Sequence, residues 1–274
     1  MLVIHKIADL RQALVGKQDV ALVPTMGNLH GGHLSLVKLA RDSGGCVVTS
    51  IFVNPLQFAP HEDFAQYPRT LERDAALLAS AGVDIVFAPT VEEMYPDMQG
   101  FVVEPPAELA DILEGEIRPG FFIGVCTVVL KLFNMVQPTI AVFGRKDYQQ
   151  QLIIKNMVRQ LALPIKLRMG DIVRDTDGLA LSSRNNYLSE SERVQGVQLV
   201  ECLREVGNFV RSGRSDWPVI EREACESLRQ RGWQVDYISI RLCEDLSAPR
   251  HGDALLVLGA ARIGVTRLID NVEI

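Results

Sequence analysis

Two histidines three residues apart, His30 and His33, stand in the segment Pro24-Thr25-Met26-Gly27-Asn28-Leu29-His30-Gly31-Gly32-His33, between a run of strand character and a helix start. A glycine-containing turn at a strand's end lets a nucleotide approach the backbone, and the helix that follows offers unpaired N–H groups and positive dipole to phosphate. On such a turn both imidazoles project to one side. Their ring N–H groups can then stabilise charge gathering on phosphorus in a transition state. A two-histidine metal site is the rival, and it lacks a third ligand at a workable spacing. The segment matches neither G-x-x-x-x-G-K-[ST] nor G-x-G-x-x-G, so generic ATPases and dehydrogenases lose ground.

Three other segments carry compatible chemistry. Far downstream, Asp177-Gly178-Leu179-Ala180-Leu181-Ser182-Ser183-Arg184-Asn185 joins adjacent hydroxyls to a guanidinium, a set suited to closing on a triphosphate. The same residues also suit a polar turn that caps a helix. Phe143-Gly144-Arg145-Lys146-Asp147-Tyr148-Gln149-Gln150 again joins a strand to a helix. There Gly144 admits an adenosine, Lys146 reaches bridging phosphate oxygens, and Asp147 serves equally well as a helix cap. Val53-Asn54-Pro55-Leu56-Gln57-Phe58 ends another strand with side-chain amides, which can bind a hydroxy acid through donors and acceptors together.

These segments need a frame that brings strand ends together. Short runs rich in Val and Ile alternate with longer runs of helical period, which predicts an α/β fold: a Rossmann-like parallel sheet with helices on both faces. Strands are expected at Val20–Val23, Cys46–Val53, Val83–Ala88, Thr139–Phe143 and Ile165–Met169. Helices are expected at Leu34–Asp42, Thr70–Ala81, Gly124–Val136 and Asp147–Leu163. Three of the segments above then fall at carboxyl ends of strands, where open parallel sheets bind ligands. Beyond Asn186 the texture changes to charged amphipathic helices near Ser189–Arg211 and Asp216–Arg231 and strands near Val235–Leu242 and Ala254–Val257. This predicts a first domain over 1–173 that binds nucleotide and acid, and a smaller α+β domain over 174–274 that contributes the Ser-Ser-Arg loop.

The chain of 274 residues is 47% hydrophobic and 23% charged, a balance that excludes a disordered or collagen-like protein. Its net charge of -6 and the lack of a dense Lys/Arg block argue against a general grip on nucleic acid or on an anionic membrane surface. Cys46, Cys126, Cys202, Cys225 and Cys243 are dispersed and odd in number, without a metal-ligand spacing, so they are expected to be small buried hydrophobes. The N-terminal apolar run is too short for a signal peptide and no run spans a membrane, so the expected location is cytoplasmic.

The H-x-G-H turn resembles the signature of the nucleotidylyltransferase superfamily. Taken with S-I-F-V-N-P-L-Q-F, Y-P-R-T, R-P-G, K-L-F-N-M-V-Q-P, F-G-R-K-D-Y-Q-Q, G-L-A-L-S-S-R-N and R-L-I-D-N in this order, nearly the whole chain resembles the pantothenate synthetase family. The resemblance implies a homodimeric ligase that uses ATP, brought with Mg²⁺, to turn pantoate into a pantoyl adenylate that β-alanine attacks. It implies that Met26, Gly27, Asn28, Leu29, His30, Gly31, Gly32 and His33 line the ATP site, with His33 the proton donor and His30 beside it at the phosphates. Gly144, Arg145, Lys146, Asp147, Val173, Leu181, Ser182, Ser183 and Arg184 would complete that site, with Lys146 catalytic. Gln57 and Gln150 would hold pantoate, Gln57 also lying by β-alanine, with Asn54 nearby.

The chain departs from the family pattern in two places. The usual Arg-Pro-Gly-His-Phe-Arg-Gly is Arg118-Pro119-Gly120-Phe121-Phe122-Ile123-Gly124, and the usual Gly-Glu-Lys-Asp is Gly144-Arg145-Lys146-Asp147. Either Arg145 replaces charge lost near Arg118 or it faces solvent. Two other readings share these residues: an adenylyltransferase of the same fold with another small acid, and a nucleotide-binding module with weakened catalysis.

Overall fold

Among residues 1–59, 62 and 64–274, which a computed structural model describes, the apolar runs pair as two separate sheets. The chain divides into two units, Met1–Arg145 with Gln150–Asp171, and Lys146–Gln149 with Ile172–Ile274. In the first half of the chain come β1 (Leu2–Ile4), α1 (Ile7–Leu14), β2 (Ala21–Thr25), α2 (Gly31–Arg41), β3 (Val47–Ile51), α3 (Leu71–Ser80) and β4 (Ile85–Phe87). Single-turn helices α4 (Val91–Met94), α5 (Ala107–Ala110) and α6 (Glu114–Ile117) lead to α7 (Phe121–Val136). Then follow β5 (Ile140–Gly144), α8 (Tyr148–Gln160) and β6 (Lys166–Gly170).

The first sheet is parallel throughout, in the order β1-β4-β3-β2-β5-β6. Ala21 and Val23 face a core built with Val37, Ala40 and Leu78 of α2 and α3, while alternation turns the fully buried Leu22 to the opposite face, where α7 packs on β2. Chain order reverses between β2 and β5, which makes their carboxyl ends the switch point of the sheet. Pro24 stands at that point. The Ala21 N–H donates to Cys46 O on the β3 side at 2.9 Å, so the even-numbered positions of β2 face β5. Pro24 falls among them and has no N–H to give. The β2–β5 ladder accordingly stops at Leu22↔Ala141, whereas β2–β3 continues to Thr25↔Ile51.

The second unit contains α9 (Glu190–Gln195), α10 (Val197–Arg211) and α11 (Trp217–Gln230). Its antiparallel sheet is β7 (Gln234–Leu242), β8 (Leu255–Ile263) and β9 (Thr266–Glu273) in that order. Leu199, Leu203, Ile220, Leu228, Trp233 and Val257 form its core.

Several expected boundaries are corrected. Strand β1 and helix α1 lie outside the expected elements; β1 is three residues long, with Leu2 and Val3 exposed, and carries no readable period. Helix α7 begins at Phe121 rather than Gly124, because Gly120 takes the left-handed conformation (φ 81°) just before it. Asp147 ends a 3-10 turn, and α8 starts one residue later. The single helix expected over Ser189–Arg211 is broken at Gly196 into α9, capped by Ser189 and Glu192, and α10. Strand β8 runs on past Val257 and β9 follows it. Gly259 sits inside β8 because a Cβ there would meet Ile238 Cδ1 at 2.8 Å and Leu203 Cδ2 at 2.9 Å, so this glycine reflects close packing and not a turn.

The loop before the Ser-Ser-Arg segment is tied to β9. Arg174 donates to both carboxylate oxygens of Asp270, at 2.6 and 2.9 Å, and also to Gly178 O at 3.1 Å. Asp270 is buried, so removing its cation strands a charge away from water, at a typical loss of about 3–5 kcal/mol. Arg174→Met should therefore lower stability by about 3 kcal/mol in urea unfolding followed by tryptophan fluorescence. Trp217 and Trp233 both lie in this unit and report on it directly.

Candidate active site

The turn after β2 is held by a buried carboxylate. Asp74 of α3 is fully buried and accepts from the Asn28 N–H at 2.8 Å, the Leu29 N–H at 2.9 Å and the Thr70 hydroxyl at 2.9 Å. Gly27 has φ +82°, and a Cβ there would stand 3.1 Å from both Asp74 Oδ2 and Ile51 Cγ2; glycine serves both the backbone and the space. Asn28 follows with φ 50°. The chain thus turns sharply off β2 and enters α2 with His30 as its N-cap.

The two histidines cap that helix reciprocally. The Gly32 N–H donates to His30 Nδ1 at 3.1 Å, and the His30 N–H donates to His33 Nδ1 at 3.3 Å. A backbone N–H can only donate, so each Nδ1 is an unprotonated acceptor and each neutral ring carries its hydrogen on Nε2. The ring centroids are 4.1 Å apart. Both Nδ1 lone pairs are engaged by backbone, which removes them from the rival metal reading. Met26, Gly27, Asn28, Leu29, Gly31 and Gly32 share this turn and the first turn of α2.

The turn after β3 lies in the same unit. Asn54 caps a 3-10 turn over Pro55–Gln57 that follows β3. It is buried, and its Nδ2 donates to Gly124 O at 3.1 Å and to Gln57 Oε1 at 3.2 Å. Gln57 Nε2 in turn meets Met26 Sδ at 2.9 Å, which joins this turn to the one that carries the histidines. Gly124 is essential to the approach, since a Cβ there would lie 2.2 Å from Leu56 O and 2.8 Å from Gln57 N. Gln150 stands in the first turn of α8, half-buried.

Arg118 braces the turn from below. It forms a two-pronged pair with Glu62 at 2.6 and 2.8 Å, and donates to Gln57 O at 3.1 Å. Phe121, one of the departures from the family pattern, lies under its guanidinium at 3.7 Å from the ring centroid. Arg145, the charged departure, is half-buried and stands 3.5 Å from the exposed Asp171 Oδ1. It forms an ion pair at the end of β5 in the first unit.

In the second unit, Lys146 lines a small cavity with Ser182, Asn185 and Asp270. Asn271 donates to the Lys146 carbonyl at 2.9 Å, and the Tyr148 hydroxyl donates to Cys243 O at 3.1 Å, so the Lys146–Gln149 segment is anchored here. Asp147 is exposed and closes the 3-10 turn that precedes α8. Leu181 N–H donates to Val173 O at 2.9 Å, and Ser182 caps the 3-10 turn Ser183–Tyr187 by accepting from the Arg184 N–H at 3.3 Å. That bond uses a lone pair of Ser182 and leaves its hydroxyl hydrogen to donate.

Sequence reasoning missed Asp74, Tyr95 and the steric role of Gly124. Asp74 reads in sequence as an ordinary acidic residue in the first turn of a helix, and only the fold reveals the donors above it. Tyr95 donates to Asn54 Oδ1 at 2.8 Å; burial pushes its phenol up, so it keeps its proton. Of the cysteines, Cys46, Cys126 and Cys202 are buried, and burial pushes Cys126 up to about 12 and Cys202 up to about 11, which keeps both as inert thiols. No helix among the described residues is long and apolar enough to cross a membrane.

A parallel sheet with its chain reversal at β2 and β5, and with a histidine-capped helix start at that point, defines a Rossmann-like α/β protein. The family model described as Pantoate-beta-alanine ligase matches residues 2–273, and the chain belongs to this family of ligases. A curated relative from Leptothrix cholodnii, named pantothenate synthetase, is 54% identical over 285 residues, with 100% of each chain covered. A crystal structure of pantothenate synthetase from Thermus thermophilus is 46% identical with a TM-score of 0.94, covering 100% of this chain and 99% of its own. A pantoate-beta-alanine ligase from Francisella tularensis, described as complexed with beta-gamma ATP and beta-alanine, is 34% identical with a TM-score of 0.82 and coverage of 100% and 97%.

Asp74→Ala should expose the cost of the unheld turn. Two buried N–H groups lose their acceptor, each a loss of about 1–3 kcal/mol. Urea unfolding followed by circular dichroism should register a drop of about 2–4 kcal/mol, and an unchanged midpoint would show that the turn holds itself.

Proposed function

We propose that this protein joins pantoate to β-alanine through a pantoyl adenylate, with ATP consumed to AMP and diphosphate. The observation that carries the reading is the contact of Gln57 with Met26, which sets an amide suited to a hydroxy acid against the turn that presents two ring N–H donors. An acid held there has its carboxylate beside the place where a phosphate would rest. The Francisella tularensis relative, described as complexed with beta-gamma ATP and beta-alanine, supports the choice of ligands.

In the first step a pantoate carboxylate oxygen attacks the α-phosphorus, and the bond from that phosphorus to the bridging oxygen breaks as diphosphate leaves. His30 and His33 donate Nε2–H hydrogen bonds to phosphate oxygens that gain charge, both rings staying neutral. Lys146, Ser182, Ser183 and Arg184 neutralise the departing diphosphate. Gly144, Arg145, Asp147, Val173 and Leu181 complete the nucleotide's surroundings, while Gln57 and Gln150 hold pantoate, with Asn54 nearby. The nucleotide enters as its magnesium complex, the ion held mainly by phosphate oxygens. In the second step the β-alanine amine attacks the acyl carbon, loses a proton and displaces AMP. The enzyme acts as a cytoplasmic homodimer built from a nucleotide- and acid-binding domain, 1–173, and a second domain, 174–274.

AMP should form from ATP only when pantoate and β-alanine are both supplied. Turnover with a different acid would move the protein to another adenylyltransferase activity, and ATP binding without turnover would make it a nucleotide-binding module. His33→Ala and Lys146→Ala should each slow single-turnover adenylation on the order of 10²–10³-fold while circular dichroism stays unchanged. A near-normal rate in either variant removes that residue from the mechanism.

A further inference from the structure

The orientation of the Gln57 amide can be derived from atoms whose hydrogen-bonding roles are beyond choice. The Leu56 N–H can only donate, so the Asn54 atom that it meets at 3.3 Å is Oδ1. The Gly124 carbonyl can only accept, so the Asn54 atom 3.1 Å from it is Nδ2. Asn54 Oδ1 also receives the Tyr95 hydroxyl at 2.8 Å, the shorter of its two donors. The remaining Nδ2 hydrogen points to Gln57 at 3.2 Å, and the atom that accepts it must be Oε1. Gln57 is left with Nε2 directed to Met26 Sδ, a weak acceptor that a substrate oxygen readily replaces.

We propose that Tyr95 is a positioning residue for the acid pocket: acting through Asn54, its hydroxyl holds Gln57 with the amide nitrogen toward the ligand, so that the pocket selects a carboxylate or hydroxyl oxygen at that place. The proposal rests on the reading that Gln57 binds pantoate. Without the phenol, Asn54 Oδ1 keeps only the longer bond from the Leu56 N–H beside the Gly124 anchor on Nδ2, so Asn54, and Gln57 through it, is held less firmly. A turned Gln57 would present its oxygen to the substrate's oxygen and repel it. Tyr95, Asn54 and Gln57 are not among the residues assigned to the nucleotide, so ATP affinity should change far less than pantoate affinity.

Tyr95→Phe is a clean probe, because it retains the ring that packs on Phe52 (centroids 6.0 Å apart) and lies 4.7 Å from the Lys131 ammonium. The test compares Tyr95→Phe, Gln57→Ala and the double variant, measuring KM for pantoate and for ATP, kcat, and pantoate Kd by calorimetry. Tyr95→Phe should raise pantoate KM and Kd about tenfold, the net worth of one such bond, and leave ATP KM and kcat nearly unchanged. In the Gln57→Ala background the loss of the hydroxyl should add nothing, because the two residues act as one. Equal effects on pantoate and ATP, or additive effects in the double variant, would overturn the relay in favour of a general structural role. A pantoate effect in Gln57→Ala with none in Tyr95→Phe would overturn the relay alone. An unchanged pantoate affinity in Gln57→Ala would overturn both the relay and the reading beneath it.

Discussion

Backbone N–H groups that donate to imidazole nitrogens set the chemistry of this site. The first turn of any α-helix has unpaired donors, and here His30 and His33 supply the acceptors with Nδ1. One arrangement therefore satisfies the helix end and decides the tautomer. Each ring that caps with Nδ1 must carry its hydrogen on Nε2, so the structural role generates the donor that the proposed phosphate chemistry would use. Asp74 supports this from behind by fixing the two residues that precede His30.

The same economy recurs at the turn after β3. Gly124, Leu56 and Tyr95 each satisfy a part of Asn54, and Asn54 then has one hydrogen left for Gln57. Neither Asn54 nor Asp74 has to touch a ligand for its loss to be felt. Pro24 acts in a similar way at the level of the sheet: a missing N–H ends one ladder early and leaves the ends of β2 and β5 unpaired with each other.

Much of the fold was legible because strand and helix periods persist over whole elements. The run Val47–Ile51 and the period through Leu152, Ile153 and Met157 identify their elements without help from tertiary contacts. Strand ends with Gly, Asn, His or Lys then mark where ligands can approach. Elements shorter than a period, such as β1, carry no such signal, and Gly259 inside β8 has the look of a turn while serving a close helix contact. The residues that hold the site were harder to see. Asp74 lies more than forty positions from the N–H groups it holds, and Tyr95 forty-one from Asn54, with nothing in local spacing to join them. The membership of Lys146–Gln149 in the second unit is equally non-local, since it comes from Asn271 and Cys243.

The tautomers of His30 and His33 test this account most directly. Nitrogen-15 spectra of selectively histidine-labelled protein at neutral pH should show, for both residues, an unprotonated Nδ1 and a protonated Nε2, with the Nε2 resonances shifting when ATP is added. Nδ1-protonated rings, or Nε2 signals indifferent to the nucleotide, would contradict it.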